Sequence, residues 1–590
     1  MLNSAREKKL FIVLSIVSLL ISLIYSYLLK WHGDDIFIGF RYIQNLLNGN
    51  GLVYNIGERV EGYTDFLWLM LLSVFGLLKF NLPMVTEVLG ILFSLATIFL
   101  FSIIGYKVSS AKNKFIFPFI TLALAINYDY NVWATSGLET SFFTFLLSTA
   151  FYINFFSNNK INTRLVLTGL FLCLAALTRP DALLIACSAT FLLLVSSILN
   201  NENLNTIIKK IVLLNLSFLI IYLPYFIWRY NYYGFPFPNT YYDKMAYESA
   251  YSKGLIYIYT YFKIHFTSFL LLIIPFLFLF TMKKKENFKQ MIFEKENAAF
   301  IASLILVYIY LIFFVAKVGG DFMFARFIIP CIPFIYFIIF CFIISLKSLK
   351  GINALLFSLV FLFGTETYFR LKLFNQLSDS DNNSKVYITP DIADERFYYT
   401  HVADENLEKR IGKELTECFE NLGVRSLVLG TQNRFAYYSH FNYCQEYFGL
   451  TDTLIAHSKS IPRGRIGHQK NASIEYIENK KIHFAYNTKP FENGKFNTAK
   501  LYLPSDTLYL LIFTYDNSII NKLTAKLGKN FEYTNFPDYL DEYLNKTLPD
   551  IKSYDELNKD YHAFYQYYFK NNTDKERENK FTIALANKKG

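Results

Sequence analysis

Residues 31–68 read WHGDDIFIGFRYIQNLLNGNGLVYNIGERVEGYTDFLW. Two adjacent acids (Asp34, Asp35), two arginines (Arg41, Arg59), two further carboxylates (Glu58, Glu61) and several glycines follow directly on an apolar run, residues 10–30. Polar groups at this density beside a membrane span predict a loop on the bilayer surface that carries chemistry. Acids at the end of a span can also mark the membrane boundary or cap the helix that follows, and residues 34–48 do have amphipathic spacing.

The rest of the chain sets the context. Of 590 residues, 53% are hydrophobic and 19% aromatic. Up to about residue 370 the apolar residues come in runs close to the ~20 that a helix needs to cross the hydrocarbon core. Beyond that the sequence is mixed. The predicted fold is therefore a polytopic α-helical membrane domain, 1–370, followed by a soluble α/β domain, 371–590. Spans are expected at 10–30, 84–106, 115–128, 137–157, 163–178, 182–199, 210–230, 264–282, 298–316, 325–346 and 351–370.

The formal charge of +11 does not indicate nucleic acid, because the lysines cluster in short loops between apolar runs. Arg6, Lys8 and Lys9 favour an inside N-terminus. The basic loops 107–114, 158–164, 200–210, 281–297 and 347–350 all fall inside only if the run at 66–79 does not cross. That run is therefore read as an interfacial or re-entrant helix, with Trp68 suited to the headgroup layer. Eleven crossings and an outside C-terminus follow. The polar segments that look least like spacers then lie outside: 31–65, 128–140, 178–181, 231–244 and 317–326.

The candidate site residues lie in those segments. A carboxylate at the bilayer surface can take a proton from a sugar hydroxyl, which makes Asp34 the candidate base and Asp35 its neighbour. Asp35 either orients an acceptor or helps place a divalent cation, Mg or Mn. An arginine can hold a lipid phosphate in a bidentate fork, and Arg59, Arg179 and Arg326 are candidates for that role. Arg179 lies beside Asp181, and Arg326 follows Asp321 by five residues. Arg229 also ends a span, where snorkelling competes with function. The loop 231–244 adds Asn239, Tyr242 and Lys244 after Pro236 and Pro238. No Walker A, GxSxG beside a strand, HExxH or zinc spacing occurs. Of the six cysteines, Cys418 and Cys444 lie in the soluble part and could pair in an oxidising compartment.

Taken together, DDxFIxFRYxxNLLNGxGLVYNxGERVEGYTxFLW (Asp34–Trp68), TSGLET (Thr135–Thr140), TRPD (Thr178–Asp181), YYGFPFPNTYYDK (Tyr232–Lys244), GGDFMFARF (Gly319–Phe327), GLTD (Gly449–Asp452) and RGRIGHQK (Arg463–Lys470) form a pattern. It resembles the bacterial GT-C glycosyltransferases related to the terminal β-arabinofuranosyltransferases of mycobacterial cell-wall assembly. The resemblance implies a polyprenyl-phosphate sugar donor, an inverting transfer to a glycan or glycolipid outside the inner membrane, and Asp34 as base. It also marks Arg41, Glu61, Glu139, Asp181, Asn239, Asp321, Asp452 and His468 as substrate-binding candidates. The chain departs from the pattern where GHEK reads Gly467-His468-Gln469-Lys470, an amide in place of a carboxylate. The competing expectation is a lipid-linked glycan transporter or polymerase-type scaffold. Such a protein should carry charges in mid-span, whereas here they sit at span ends.

Overall fold

The structure, a computed structural model, describes residues 2–109, 118–245, 248–282, 295–345, 352–378, 386–429, 432–459, 469–491, 496–551 and 553–589. The expected inner loop 281–297 and His468 fall mostly or wholly outside these residues. The chain forms two compact units. The first comprises 1–36, 63–403 and 464–467, and the second 37–62, 404–463 and 468–590. The cut expected after residue 370 is thus displaced, because 371–403 pack with the helical unit. The opening stretch is itself divided, with 37–62 counted in the second unit.

The first unit is helical. Six helices among the described residues are long and apolar enough to cross a membrane: Phe11–Leu28, Leu82–Val108, Ile161–Thr178, Ala182–Leu199, Leu204–Tyr233 and Asn297–Ala316. The span expected at 264–282 is not straight. Helices Tyr251–Ile264 and Phe266–Phe278 meet at 117°, and would be a seventh span if counted as one. The bend is held by side chains, since His265 Nε2 lies 2.7 Å from Asp129 Oδ2 and Glu366 accepts from the Thr267 amide. Thr140–Phe156 and Ile329–Ile343 are shorter apolar helices, and Pro118–Ile126 and Ile352–Ser378 stand at the two remaining expected spans.

The run at 66–79 becomes a helix of 12 residues, Phe66–Leu77, about 18 Å long at 1.5 Å per residue and too short to cross. Trp68 is not at a headgroup surface as expected. It is buried, donates to the Gly137 carbonyl at 3.1 Å and packs against Phe142. An indole in the interior needs such an acceptor for its N–H.

Four segments distant in sequence are laced together in this unit. The Gly33 amide donates to the Ser136 carbonyl at 3.0 Å, and Trp133 Nε1 to the Phe324 carbonyl at 3.0 Å. Ala393, in the short strand β2 (Ile392–Ala393) that pairs with β1 (Tyr387–Thr389), exchanges backbone bonds with Phe322 and Phe324. The fully buried Arg370 ties that edge down, binding Asp129 at 3.1 Å and Asp394 at 2.7 Å. An interior guanidinium is tolerated only with such paired carboxylates.

The second unit holds a six-stranded mixed sheet in the order β4-β3-β5-β7-β6-β8. The strands are β3 (Arg425–Val428), β4 (Tyr443–Glu446), β5 (Phe484–Asn487), β6 (Thr498–Tyr502), β7 (Thr507–Ile512) and β8 (Phe531–Tyr533). β3 is parallel to β4 and β5, while the rest of the sheet is antiparallel. β7 alternates half-buried and buried residues, the period of a sheet with one covered face. Helices Glu405–Phe419 and Asn517–Leu527 each start on an aspartate, Asp404 and Asp516, that accepts two amides of the first turn. The pairing that the sequence left open for Cys418 and Cys444 is not formed. Both thiols are free, and Cys444 lies buried in β4, with its Sγ toward Ser426 Oγ on β3.

Candidate active site

The loops at one end of the helical unit gather a cluster of charged side chains. Arg179 follows helix Ile161–Thr178 as its C-cap, and Glu139 stands at the N-cap of Thr140–Phe156. Arg179 Nη1 donates to Glu139 Oε1 at 2.7 Å, and its Nε reaches both oxygens of Asp181 at 3.0 and 3.3 Å. Its guanidinium is also sandwiched 5.4 Å from the Phe143 ring and 5.1 Å from Phe327. Tyr310 donates to Asp181 Oδ2 at 2.5 Å.

Arg326 approaches the same Glu139 oxygen more loosely, at 3.5 Å, and Asp321 Oδ2 at 3.5 Å. Its Nε is buried and makes no hydrogen bond among the described residues. The backbone beside it is unusual: Ala325 has φ +66°, a left-handed conformation that a residue with a Cβ rarely adopts. Gly320, at φ +78°, sits where a Cβ would come within 2.5 Å of the Tyr257 ring. Glycine alone lets this loop pass that close.

Two more acids join electrostatically. Asp35 opens helix Asp35–Leu47, and its charge acts on Arg326. Asp65 precedes helix Phe66–Leu77 but makes no side-chain cap bond. Burial and the nearby Glu139 carboxylate push Asp65 up to about 7. Glu139 in turn is paired with both the Arg179 and the Arg326 guanidinium. Two fixed positive charges thus face three paired carboxylates and two further acids. The cluster can orient hydroxyl groups, exchange a proton and meet an anion through Arg326.

The expected residues divide accordingly. Glu139, Arg179, Asp181, Asp321 and Arg326 come together, with Asp35 beside them. Asp34 is buried at the end of the loop preceding Asp35. Lys244 follows the short helix Asn239–Asp243, half-buried, and makes no ion pair among the described residues. Asn239 is buried, and Tyr242 packs edge-on against Phe235. Arg229 does not snorkel: it is buried and donates to the Pro236 carbonyl at 2.9 Å, clamping that loop.

In the second unit Arg41 spends its donors on the backbone. Its guanidinium donates to the carbonyls of Tyr54 at 2.8 Å, Ala436 at 2.9 Å and Phe441 at 2.6 Å. Asp452 caps helix Thr453–Ala456 and accepts from Tyr476 at 2.6 Å. Glu58 pairs with Lys480 at 2.6 Å, Glu61 is buried and Arg59 is exposed. Lys470 is spent on the Ala456 carbonyl. Among the described residues no three His, Cys, Asp or Glu side chains converge as a metal set.

Sequence reasoning missed Asp65 and Tyr310. Asp65 closes the same acid-rich stretch and was open to notice. Tyr310 lies inside an apolar run, where a tyrosine reads as an interfacial aromatic.

Curated proteins align with this chain over part of its length. The chain is similar to terminal β-(1→2)-arabinofuranosyltransferases. The protein of that name from Mycobacterium tuberculosis is 28% identical over 245 residues, 39% of this chain and 37% of its own. The one from Corynebacterium glutamicum is 36% identical over 115 residues, 19% of this chain and 16% of its own. The chain thus spans about a third or less of these relatives. Among solved structures, ArnT from Cupriavidus metallidurans, bound to undecaprenyl phosphate, overlaps 76% of each chain at 14% identity and a TM-score of 0.39. No family model matches the chain.

Proposed function

We propose that this chain is an inverting GT-C glycosyltransferase of the bacterial inner membrane. It moves arabinofuranose from a polyprenyl-phosphate donor to a glycan or glycolipid on the outer face. The observation that carries the reading is the cluster Glu139–Arg179–Asp181–Arg326, assembled from the TSGLET, TRPD and GGDFMFAR motifs on which the family resemblance rests. The sugar comes from the names of the two partial relatives.

In this reading Asp34 takes the proton of the acceptor hydroxyl as that oxygen attacks the anomeric carbon. The bond to the donor phosphate breaks on the opposite face, so the configuration inverts and polyprenyl phosphate leaves. Arg326, with an Nε hydrogen still to give, balances the charge on the departing phosphate. Arg179, tied to carboxylates on both sides, holds Glu139 and Asp181 in place. Asp35 orients the acceptor, and Lys244 and Arg59 are further cations for the donor. Residues 404–590 lie in the periplasm and select the acceptor.

The test is transfer by the purified protein. With polyprenyl-phosphoryl arabinofuranose and an arabinan acceptor, the expected products are an extended glycan of inverted anomeric configuration and free polyprenyl phosphate. Absence of transfer from this and from other polyprenyl-phosphate sugars, together with unchanged envelope glycans in cells lacking the protein, would overturn the proposal.

A further inference from the structure

The helical unit contains a cavity of about 600 Å³ that the charge cluster does not use. Its walls come from helices Thr140–Phe156, Ile161–Thr178, Ala182–Leu199 and Leu204–Tyr233 and from residues 298–310, with Leu165, Leu172, Ala189, Leu193 and Leu306 typical of the lining. Tyr310, the residue that donates to Asp181, is part of the lining. So are Arg164, Lys210 and Glu202, which form a rim at or just before the N-terminal turns of their helices, the far end of helix Ile161–Thr178 from Arg179. Lys210 and Glu202 form an ion pair and cancel. Arg164 does not: its Nε is buried and makes no hydrogen bond among the described residues.

This space is not slack between loosely packed helices. Gly169 brings Ile161–Thr178 so close to Leu204–Tyr233 that a Cβ there would lie 2.1 Å from the Leu214 carbonyl oxygen. Apolar walls left empty forfeit dispersion contacts over their whole surface, and water finds no partners along them. The volume falls in the range of about 300–1,000 Å³ typical of small-molecule sites. A hydrocarbon chain satisfies the walls, and one negative charge at the rim satisfies Arg164.

We propose that this cavity binds one acyl chain of an anionic phospholipid, with the lipid phosphate at Arg164. The occupant is a bilayer phospholipid rather than a polyprenyl-phosphate substrate for a geometric reason. Arg164 and Arg179 stand 15 positions apart at opposite ends of helix Ile161–Thr178, about 22 Å along its axis. A phosphate at the rim is therefore remote from the charge cluster. The proposal requires that this unit crosses a bilayer, and is independent of the transferase reading.

The test uses the full-length protein in nanodiscs of equal phosphatidylglycerol and phosphatidylcholine, followed by native mass spectrometry. The expected result is one retained phosphatidylglycerol per chain. Arg164→Gln should lower its retention at least 10-fold, and Ala189→Trp, which fills the cavity, should abolish it. Arg164 is half-buried in the first turn of its helix, so Arg164→Gln keeps the test decisive even where the tryptophan variant does not fold. Equal retention of both lipids, no retained lipid, retention indifferent to Arg164→Gln, or a polyprenyl phosphate held there in membranes from cells would each overturn the proposal.

Discussion

Arg179 donates to Glu139 at 2.7 Å across 40 residues of sequence, in surroundings where both side chains are almost wholly excluded from solvent. The same Glu139 oxygen is approached by Arg326 at 3.5 Å. One carboxylate thus holds a tightly bound guanidinium and a loosely bound one, and the two arginines should respond differently to substitution.

Removing the shared carboxylate leaves two interior cations short of a partner. Glu139→Gln should lower stability by about 3 kcal/mol or more, the scale for breaking a buried ion pair, read as a fall in Tm of the detergent-solubilised protein. Arg326→Lys should cost little stability, because its contacts are already long, and should instead raise the KM for the polyprenyl-phosphate donor. Equal losses of stability in the two variants would contradict the division of labour drawn here.

Asp34→Asn keeps size and most hydrogen bonding but cannot accept a proton as a carboxylate does. Turnover should fall about 10²-fold or more, the scale of general-base catalysis, with donor binding little changed. Wild-type transfer by this variant would remove Asp34 from the base position.

The pH dependence has a predictable sign. Asp65, pushed up to about 7 by burial and by Glu139, is neutral below that pH and adds a negative charge above it. The extra charge opposes a phosphate approaching Arg326, so the donor KM should rise as pH climbs through about 7. Asp65→Asn should flatten that rise. A profile identical to wild type would show that Asp65 does not govern it.

Arg41 makes its contacts in the sheet-containing unit, to three backbone carbonyls. Arg41→Ala should destabilise the protein by about 3 kcal/mol or more, since hydrogen bonds from a charged donor are worth roughly 1.5–3 kcal/mol each. The donor KM of the folded fraction should not change. A selective loss of donor or acceptor binding at unchanged Tm would return Arg41 to the list of ligands.

The lysine pattern predicts opposite sides for two positions. In a cysteine-free background, Gln290→Cys should be protected from a membrane-impermeant thiol reagent in intact cells and Lys489→Cys should react. The reverse result would move the whole charge cluster to the cytoplasmic face.

Hydropathy by itself determined where helices run, because a ~20-residue apolar segment satisfies its backbone hydrogen bonds internally and needs no distant partner. The short helix Phe66–Leu77 was legible in the same way, from its length and from the lysine bookkeeping around it. The motifs that carry the resemblance likewise named Glu139, Arg179, Asp181 and Arg326 before any contact was known. Tertiary structure alone decided what each charged residue does. Arg41 and Arg326 are both motif arginines among aromatics, yet one spends its donors on carbonyls nearly 400 positions away and the other keeps a buried Nε unpaired. Trp68 looked like a headgroup anchor until its N–H was found on Gly137, and the stretch 31–68 read as one loop until residues 37–62 packed with the second unit. A side chain's type fixes how many hydrogen bonds it must make, but only the packed chain sets which partners lie within about 3 Å to make them.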